Sequence, residues 1–152
     1  MCVWCGRTHV LVPVTVLARR ADGVEVIGAA LLARARGWGY RRMAALVGRP
    51  VSTVRGWVGR VAANAERIFL AFMGLVHELE VDPAPVTPTG SVLGDAVAAV
   101  GAGVAAVRRR FGTAVVVVSA WPVAAALTHG RLLAPSPPTR LINTSWHLAG
   151  FP

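Results

Sequence analysis

The most constraining feature of this 152-residue sequence is a helix-breaking turn, Gly48-Arg49-Pro50, between two short stretches with helical periodicity. Glycine favours the left-handed conformation that ends a helix, and proline is accepted at the first turn of the next one. Before the turn, apolar residues recur at the spacing of one helix face, at Tyr40, Met43, Ala44 and Val47. After it, the same spacing recurs at Val54, Trp57, Val58 and Val61. The sequence therefore predicts two short helices joined by a tight turn.

A third amphipathic stretch precedes these two. Asp22 followed by Glu25 is similar to a capping box and predicts the start of a helix, which should end near Arg36-Gly37. Its apolar face consists of Val24, Ile27, Gly28, Leu31, Leu32 and Ala35. Three short helices with a glycine-containing turn predict a helix-turn-helix (homeodomain-like) unit over residues 22–67.

The third predicted helix has small and basic residues opposite its apolar stripe. Such a helix can enter the major groove of DNA, while Trp57 on the other side holds it to the core. We expect Ser52, Thr53 and Arg55 to contact bases or phosphates. The surrounding arginines are expected to contact phosphates, at Arg41, Arg42, Arg49 and Arg60.

The positive charge lies mainly in the first half of the chain. All 16 basic residues are Arg, and residues 1–67 hold 11 of them against three acidic residues, a net charge of +8. Residues 68–152 hold five Arg against four acidic residues, a net charge of +1. This asymmetry favours a polyanionic partner, here double-stranded DNA, for the first half.

Cys2 and Cys5 have the two-residue spacing that lets two thiolates face one metal ion, and His9 is a candidate third ligand. A closed zinc site needs four ligands, so a fourth would come from a distant histidine, among His77, His129 and His147. Two alternatives stay open: a bound zinc ion, or two reduced thiols in a relic knuckle.

Residues 39–58, Gly-Tyr-Arg-Arg-Met-Ala-Ala-Leu-Val-Gly-Arg-Pro-Val-Ser-Thr-Val-Arg-Gly-Trp-Val, resemble the helix-turn-helix domains of insertion-sequence transposases and resolvase-like proteins. Together with the Cys2–Cys5 pair and Leu17-Ala-Arg-Arg20, they are similar to an uncharacterised actinobacterial family that joins an N-terminal zinc ribbon to a helix-turn-helix. The resemblance covers residues 2–65 and implies DNA binding with no established activity. A zinc ribbon has two Cys pairs, so the first pair is expected upstream of Met1.

The whole chain is expected to be mainly α. Its predicted parts are a partial zinc-ribbon knuckle (1–21), the helix-turn-helix (22–67), a connecting helix (68–81), a Pro-rich linker (82–91), an Ala/Val-rich helical region (92–133) and a tail (134–152). A heptad-like seam runs through Val61, Ala65, Ile68, Phe72, Leu75 and Leu79. It predicts either pairing of two chains in a homodimer or packing against residues 92–107 of the same chain.

No catalytic constellation is visible. A transposase core needs convergent carboxylates for two metal ions, and the acidic residues beyond residue 67 are bunched at Glu78, Glu80, Asp82 and Asp95. A P-loop is excluded because the chain has no lysine. We therefore expect a non-enzyme with no small-molecule substrate and no cofactor other than zinc.

The sequence also argues against a membrane span and a secretory signal, so a cytoplasmic location is expected. The longest uncharged stretch, residues 111–130, contains Pro122, and its apolar centre is shorter than the ~20 residues that a spanning helix needs. The predicted function is sequence-dependent DNA binding, in a mobile element or in transcriptional regulation. The alternatives are a protein-interaction module, an inactive transposase fragment and a membrane-associated protein.

Overall fold

The computed structural model describes residues 15–17, 21–112, 119–137 and 141, and this part of the chain is mainly helical. Within it, Val16 and Gly23 form an isolated antiparallel β-bridge just before the first helix. The helices are α1 (Val24–Ala35), α2 (Tyr40–Val47), α3 (Val51–Ala62), α4 (Ala65–Leu79), α5 (Val92–Phe111) and α6 (Ala120–Leu127). The predicted mainly-α fold is confirmed.

Glycines end α1 and α2 where the sequence predicts. Gly37 has φ +83° and follows the last turn of α1, and Gly48 has φ +62° and caps α2. Arg49 then donates its backbone N–H to the carbonyl of Ala44 at 3.1 Å, which satisfies one of the free carbonyl groups at the end of α2. Pro50 is the N-cap of α3, so three residues separate α2 from α3.

The predicted capping box at α1 is wrong. The N-cap of α1 is Gly23, and no side chain accepts a hydrogen bond there. Asp22 instead forms a salt bridge with Arg49, and Glu25 accepts a hydrogen bond from the hydroxyl of Ser119. The two carboxylates therefore tie the start of α1 to distant parts of the chain.

α1 lies at the centre of the fold and packs against α2, α3, α5 and α6. The predicted apolar face of α1 is buried except at its C-terminal end, where Leu32 is exposed and Ala35 is half-buried. The whole predicted stripe of α3 is buried, and in α2 the same holds for Met43 and Ala44. These buried faces hold α3 in a fixed orientation on α1 and α2.

The heptad-like seam packs within the chain, because α4 lies along α5. Its members are buried up to Leu75, while Leu79 is half-buried. At the closest point Gly103 faces Phe72, and a Cβ atom on residue 103 would lie 2.7 Å from Phe72 Cδ1. Of the two predicted partners for the seam, the structure shows residues of α5, so the seam is not available to a second chain.

α6 packs against both α1 and α5. The Trp121 ring lies directly against Gly28, and the buried residues of α1–α3 form one continuous cluster with those of α4, α5 and α6. Leu132, Leu133 and Leu141 belong to the same cluster. In the described ranges, no helix is long and apolar enough to cross a membrane.

Candidate nucleic-acid interface

One side of α3 is held in the core and the other faces solvent. Trp57 is only 3% exposed and lies beside the buried Val54 and Val61. The solvent side carries a strip of small residues, Ser52, Gly56 and Gly59, which we call the small-residue strip. Because successive residues of an α-helix are about 100° apart, the exposed Arg55 and Arg60 lie on opposite edges of this strip.

Internal packing explains only one of the two glycines of the small-residue strip. A Cβ atom on residue 56 would lie 3.1 Å from Nη1 of Arg60, whose side chain lies over Gly56, whereas one on residue 59 would meet nothing within 4 Å. Each glycine in a helix interior costs about 1 kcal/mol relative to alanine. At Gly59 the helix backbone is therefore open to close approach from outside the chain.

Arg60 marks one edge of the strip and borders an open groove. Its Nη1 donates a hydrogen bond to the carbonyl of Gly56 at 2.9 Å, which lays the side chain along the helix. The groove has a volume of about 420 Å³, and its walls are Ala21, Asp22, Ser52, Thr53, Gly56, Trp57 and Arg60. Three of the predicted DNA contacts, Ser52, Thr53 and Arg60, therefore share one groove.

Arg55 marks the other edge and lies over an aromatic ring. Its Cζ atom is 5.2 Å from the centroid of the Tyr40 ring, and the Cζ atom of Arg34 is 5.4 Å from the same centroid. Both distances fall within the range of cation–π attraction. Arg55 thus projects to solvent from a defined position and is not tucked under a neighbouring helix.

The other three arginines predicted to contact phosphates differ in how far their side chains already interact with other residues of the chain. Arg41 is exposed on α2. Arg42 stacks on the Trp38 ring with its Cζ atom 3.5 Å from the ring centroid. Arg49 is bound at the turn by the carboxylate of Asp22 and donates to the carbonyl of Gly48 at 3.0 Å, so its charge is already compensated.

A second cleft lies where α3 meets α4. Its volume is about 640 Å³, and Arg60, Asn64, Glu66, Arg67, Val92 and Pro135 are among its lining residues. Asn64 donates from its side-chain nitrogen to the carbonyl of Arg60 at 3.1 Å, which fixes this corner. The Arg60 side chain therefore stands between the two clefts, and Arg67 continues the basic surface beyond α3.

Sequence reasoning missed the aromatic residues that hold the arginines, Trp38 and Tyr40, and did not select Arg34. Trp38 precedes Gly39, the N-cap of α2, and Arg42 lies in the first turn of that helix, so no helical spacing pointed to this pair. No local signal connects Tyr40 with Arg55, which comes from the next helix.

The proposed zinc ligands Cys2, Cys5 and His9 lie outside the described residues, as does His147. In the described ranges, no group of three His, Cys, Asp or Glu side chains is placed to hold a metal ion. His77 and His129 are both exposed, the first on α4 and the second after α6. A zinc ion therefore gains no support from this part of the chain.

Comparison with known proteins adds no relative, because no protein-family model, curated protein or solved structure matches this chain. Any function must therefore be inferred from the residues and the geometry described above.

Proposed function

We propose that this chain binds double-stranded DNA through α2 and α3, with the small-residue strip of α3 lying in the major groove. The observation that carries the proposal is the strip itself. Ser52 and Gly59 are exposed, no packing within the described chain accounts for Gly59, and the strip lies between Arg55 and Arg60 on a helix fixed from behind by Trp57.

Shape supports this assignment. An α-helix with its side chains is about 10–12 Å across and the major groove is about 12 Å wide, so a helix with one narrow face fits closely. Ser52, Gly56 and Gly59 make this face narrow, since none carries more than a hydroxymethyl group. The two arginines at its edges can then reach base edges or the phosphates that flank the groove.

Charge supports it as well. Residues 21–67 contain eight Arg and three acidic residues, and one of these acids, Asp22, is paired with Arg49. In the described part of the chain, neither Arg55 nor Arg60 forms a salt bridge with a carboxylate. The basic groups around α3 are therefore available to an external polyanion, and neutralising phosphates releases the counterions that drive such binding.

A charge-matched pair of double variants tests the role of the arginines. We expect Arg55→Gln/Arg60→Gln to weaken binding to a fluorescently labelled 30-base-pair duplex at least tenfold near 0.1 M salt, because two phosphate contacts are lost. The control Arg110→Gln/Arg131→Gln removes the same charge from exposed positions beyond α4 and should change the dissociation constant less than threefold. Equal losses in the two variants would show only non-specific attraction and would overturn the proposal.

A second pair tests insertion of α3 into the groove. Gly59→Leu places a bulky side chain on the small-residue strip, where the folded chain has open space. We expect the variant to be at least as stable as the wild type and to bind the duplex at least tenfold more weakly. Gly74→Leu is the control, because Gly74 is also exposed with open space around it, on α4. Wild-type affinity in Gly59→Leu would contradict the docking of this face.

A further inference from the structure

Tyr40 connects three helices through two arginines. It is the first residue of α2, its ring is half-buried, and it lies beneath Arg34 from α1 and Arg55 from α3. Where the chain is described, neither guanidinium forms a salt bridge with a carboxylate. Arg34 uses one of its five N–H donors on the carbonyl of Trp38, at 3.3 Å, and keeps donors for another acceptor.

We propose that Arg34 is a further DNA-binding residue and that Tyr40 is a positioning residue that holds Arg34 and Arg55 towards the same phosphate backbone; this rests on the proposed function. Both Cζ atoms lie near one ring centroid, so they are separated by no more than the two centroid distances together. Duplex DNA carries one phosphate charge per ~1.7 Å of its axis, so one duplex offers phosphates to both groups.

The chemistry of the guanidinium group explains why an aromatic ring suits this role. Its planar face packs on the ring, while its N–H donors point outward in the plane of the group and stay free for phosphate oxygens. An arginine that is already held also loses less side-chain freedom when it binds. Tyr40 therefore strengthens binding without touching the DNA.

Charge-removal variants of the full chain test the Arg34 contact. We expect Arg34→Gln to reduce the slope of log K against log [salt] by about 0.9, the value for one lost phosphate contact on a B-form duplex. The matched control is Arg36→Gln, which removes an equal charge two residues away, at the exposed C-cap of α1. This control should leave the slope unchanged.

Tyr40 variants test positioning separately. Tyr40→Phe keeps the aromatic ring and should bind duplex DNA with wild-type affinity. Tyr40→Leu should weaken duplex binding by about threefold to tenfold, because the two arginines are no longer held in place before they bind. The salt slope should be unchanged, since the same phosphate contacts still form. In an Arg34→Gln/Arg55→Gln background, Tyr40→Leu should have no further effect. The thermal unfolding midpoint of each variant shows whether it is folded, and the Arg34 test stands without the Tyr40→Leu variant.

The outcomes separate the two proposals. If the wild type does not bind duplex DNA at all, the proposed function and this inference are both overturned. If the wild type binds and Arg34→Gln has the slope of the wild type, or Arg36→Gln loses as much as Arg34→Gln, only the role of Arg34 is overturned. If Tyr40→Leu binds like the wild type, or weakens the double variant as much as it weakens the wild type, Tyr40 does not position the arginines.

Discussion

Replacing Gly28 by alanine should destabilise the protein, although alanine is the better helix former. A Cβ atom on residue 28 would lie 2.3 Å from three atoms of the Trp121 ring, Cδ1, Cδ2 and Cε2. Ordinary carbon contacts are about 3.5–4.0 Å, so the ring must move by more than about 1 Å. Trp121 is only 6% exposed and belongs to the core cluster, so this movement disturbs the packing of α6 on α1.

The magnitude follows from two opposing effects. Overpacking a core costs about 1–3 kcal/mol, and this overlap belongs near the upper end, whereas exchanging glycine for alanine in a helix gains about 1 kcal/mol. We therefore expect Gly28→Ala to lower the free energy of unfolding by about 1–2 kcal/mol. For a chain of this size the melting temperature should fall by roughly 2–8 °C.

Gly74 provides a matched control, because its replacement by alanine should change the free energy of unfolding in the opposite direction. Gly74 is also inside a helix, but a Cβ atom there would meet nothing within 4 Å. Gly74→Ala should therefore raise the free energy of unfolding by about 0.5–1 kcal/mol. Thermal and urea unfolding followed by circular dichroism at 222 nm measure both variants under the same conditions.

The source of the loss can be checked with a double variant. If the Trp121 ring causes it, Gly28→Ala should stabilise a Trp121→Leu background by up to about 1 kcal/mol, which gives a coupling free energy of about 2–3 kcal/mol. Equal stability changes in Gly28→Ala and Gly74→Ala, or additive effects of the two substitutions in the double variant, would refute the close packing of α6 on α1.

Three further predictions concern the turn and the helix starts. Gly48→Ala should destabilise the fold by about 1 kcal/mol in urea unfolding because φ at this residue is +62°. Gly48→Asn should be less destabilising than Gly48→Ala, because asparagine adopts this conformation more readily. An alanine variant as stable as the wild type would contradict this prediction. Asp22→Asn frees Arg49 from its ion pair, so the chain should bind duplex DNA more tightly in a fluorescence anisotropy titration. The slope of log K against log [salt] should steepen by about 0.9, the value for one additional phosphate contact. Weaker binding would contradict a role for Arg49 at the DNA. The backbone N–H and the hydroxyl of Thr89 both donate to Asp95 and hold its pKa below the usual 3.8. The resulting stabilisation of the fold is present above pH 3.8 and is lost as the pH falls through the lowered pKa. Asp95→Asn should therefore reduce the loss of stability at acid pH, and an unchanged loss would contradict this contact.

Local signals predicted the helices of the first half well. Glycine and proline mark the ends of α1 and α2 and the start of α3 because their backbone preferences act within a few residues, and the helical spacing identified the side of α3 that Trp57 buries. The end of α3 at Ala62 carries no such signal. The heptad-like spacing also identified the buried face of α4. Its partner stayed open because a repeat of apolar residues fits a second chain as well as a neighbouring helix.

Long-range contacts account for what the sequence did not reveal. The placement of Trp121 against Gly28, the ion pair of Asp22 with Arg49 and the contact of Arg55 with the Tyr40 ring all join different elements of the chain. The sequence therefore predicted which residues belong to the candidate site, but not how those residues are arranged in space. Seven polar and basic residues around α3 were selected, yet only the fold distinguishes Arg49, which is ion-paired, from Arg55, which is held and free to bind.

The dependence of wild-type duplex binding on salt tests the central claim most directly. If α3 lies in the major groove with four or five arginines on phosphates, log K should fall linearly with log [salt] with a slope of about −3.6 to −4.5. Between 50 and 200 mM salt the affinity should then drop by roughly 150-fold to 500-fold. A slope shallower than −1, or no binding at 50 mM salt, would contradict the claim that this face of α3 recognises double-stranded DNA.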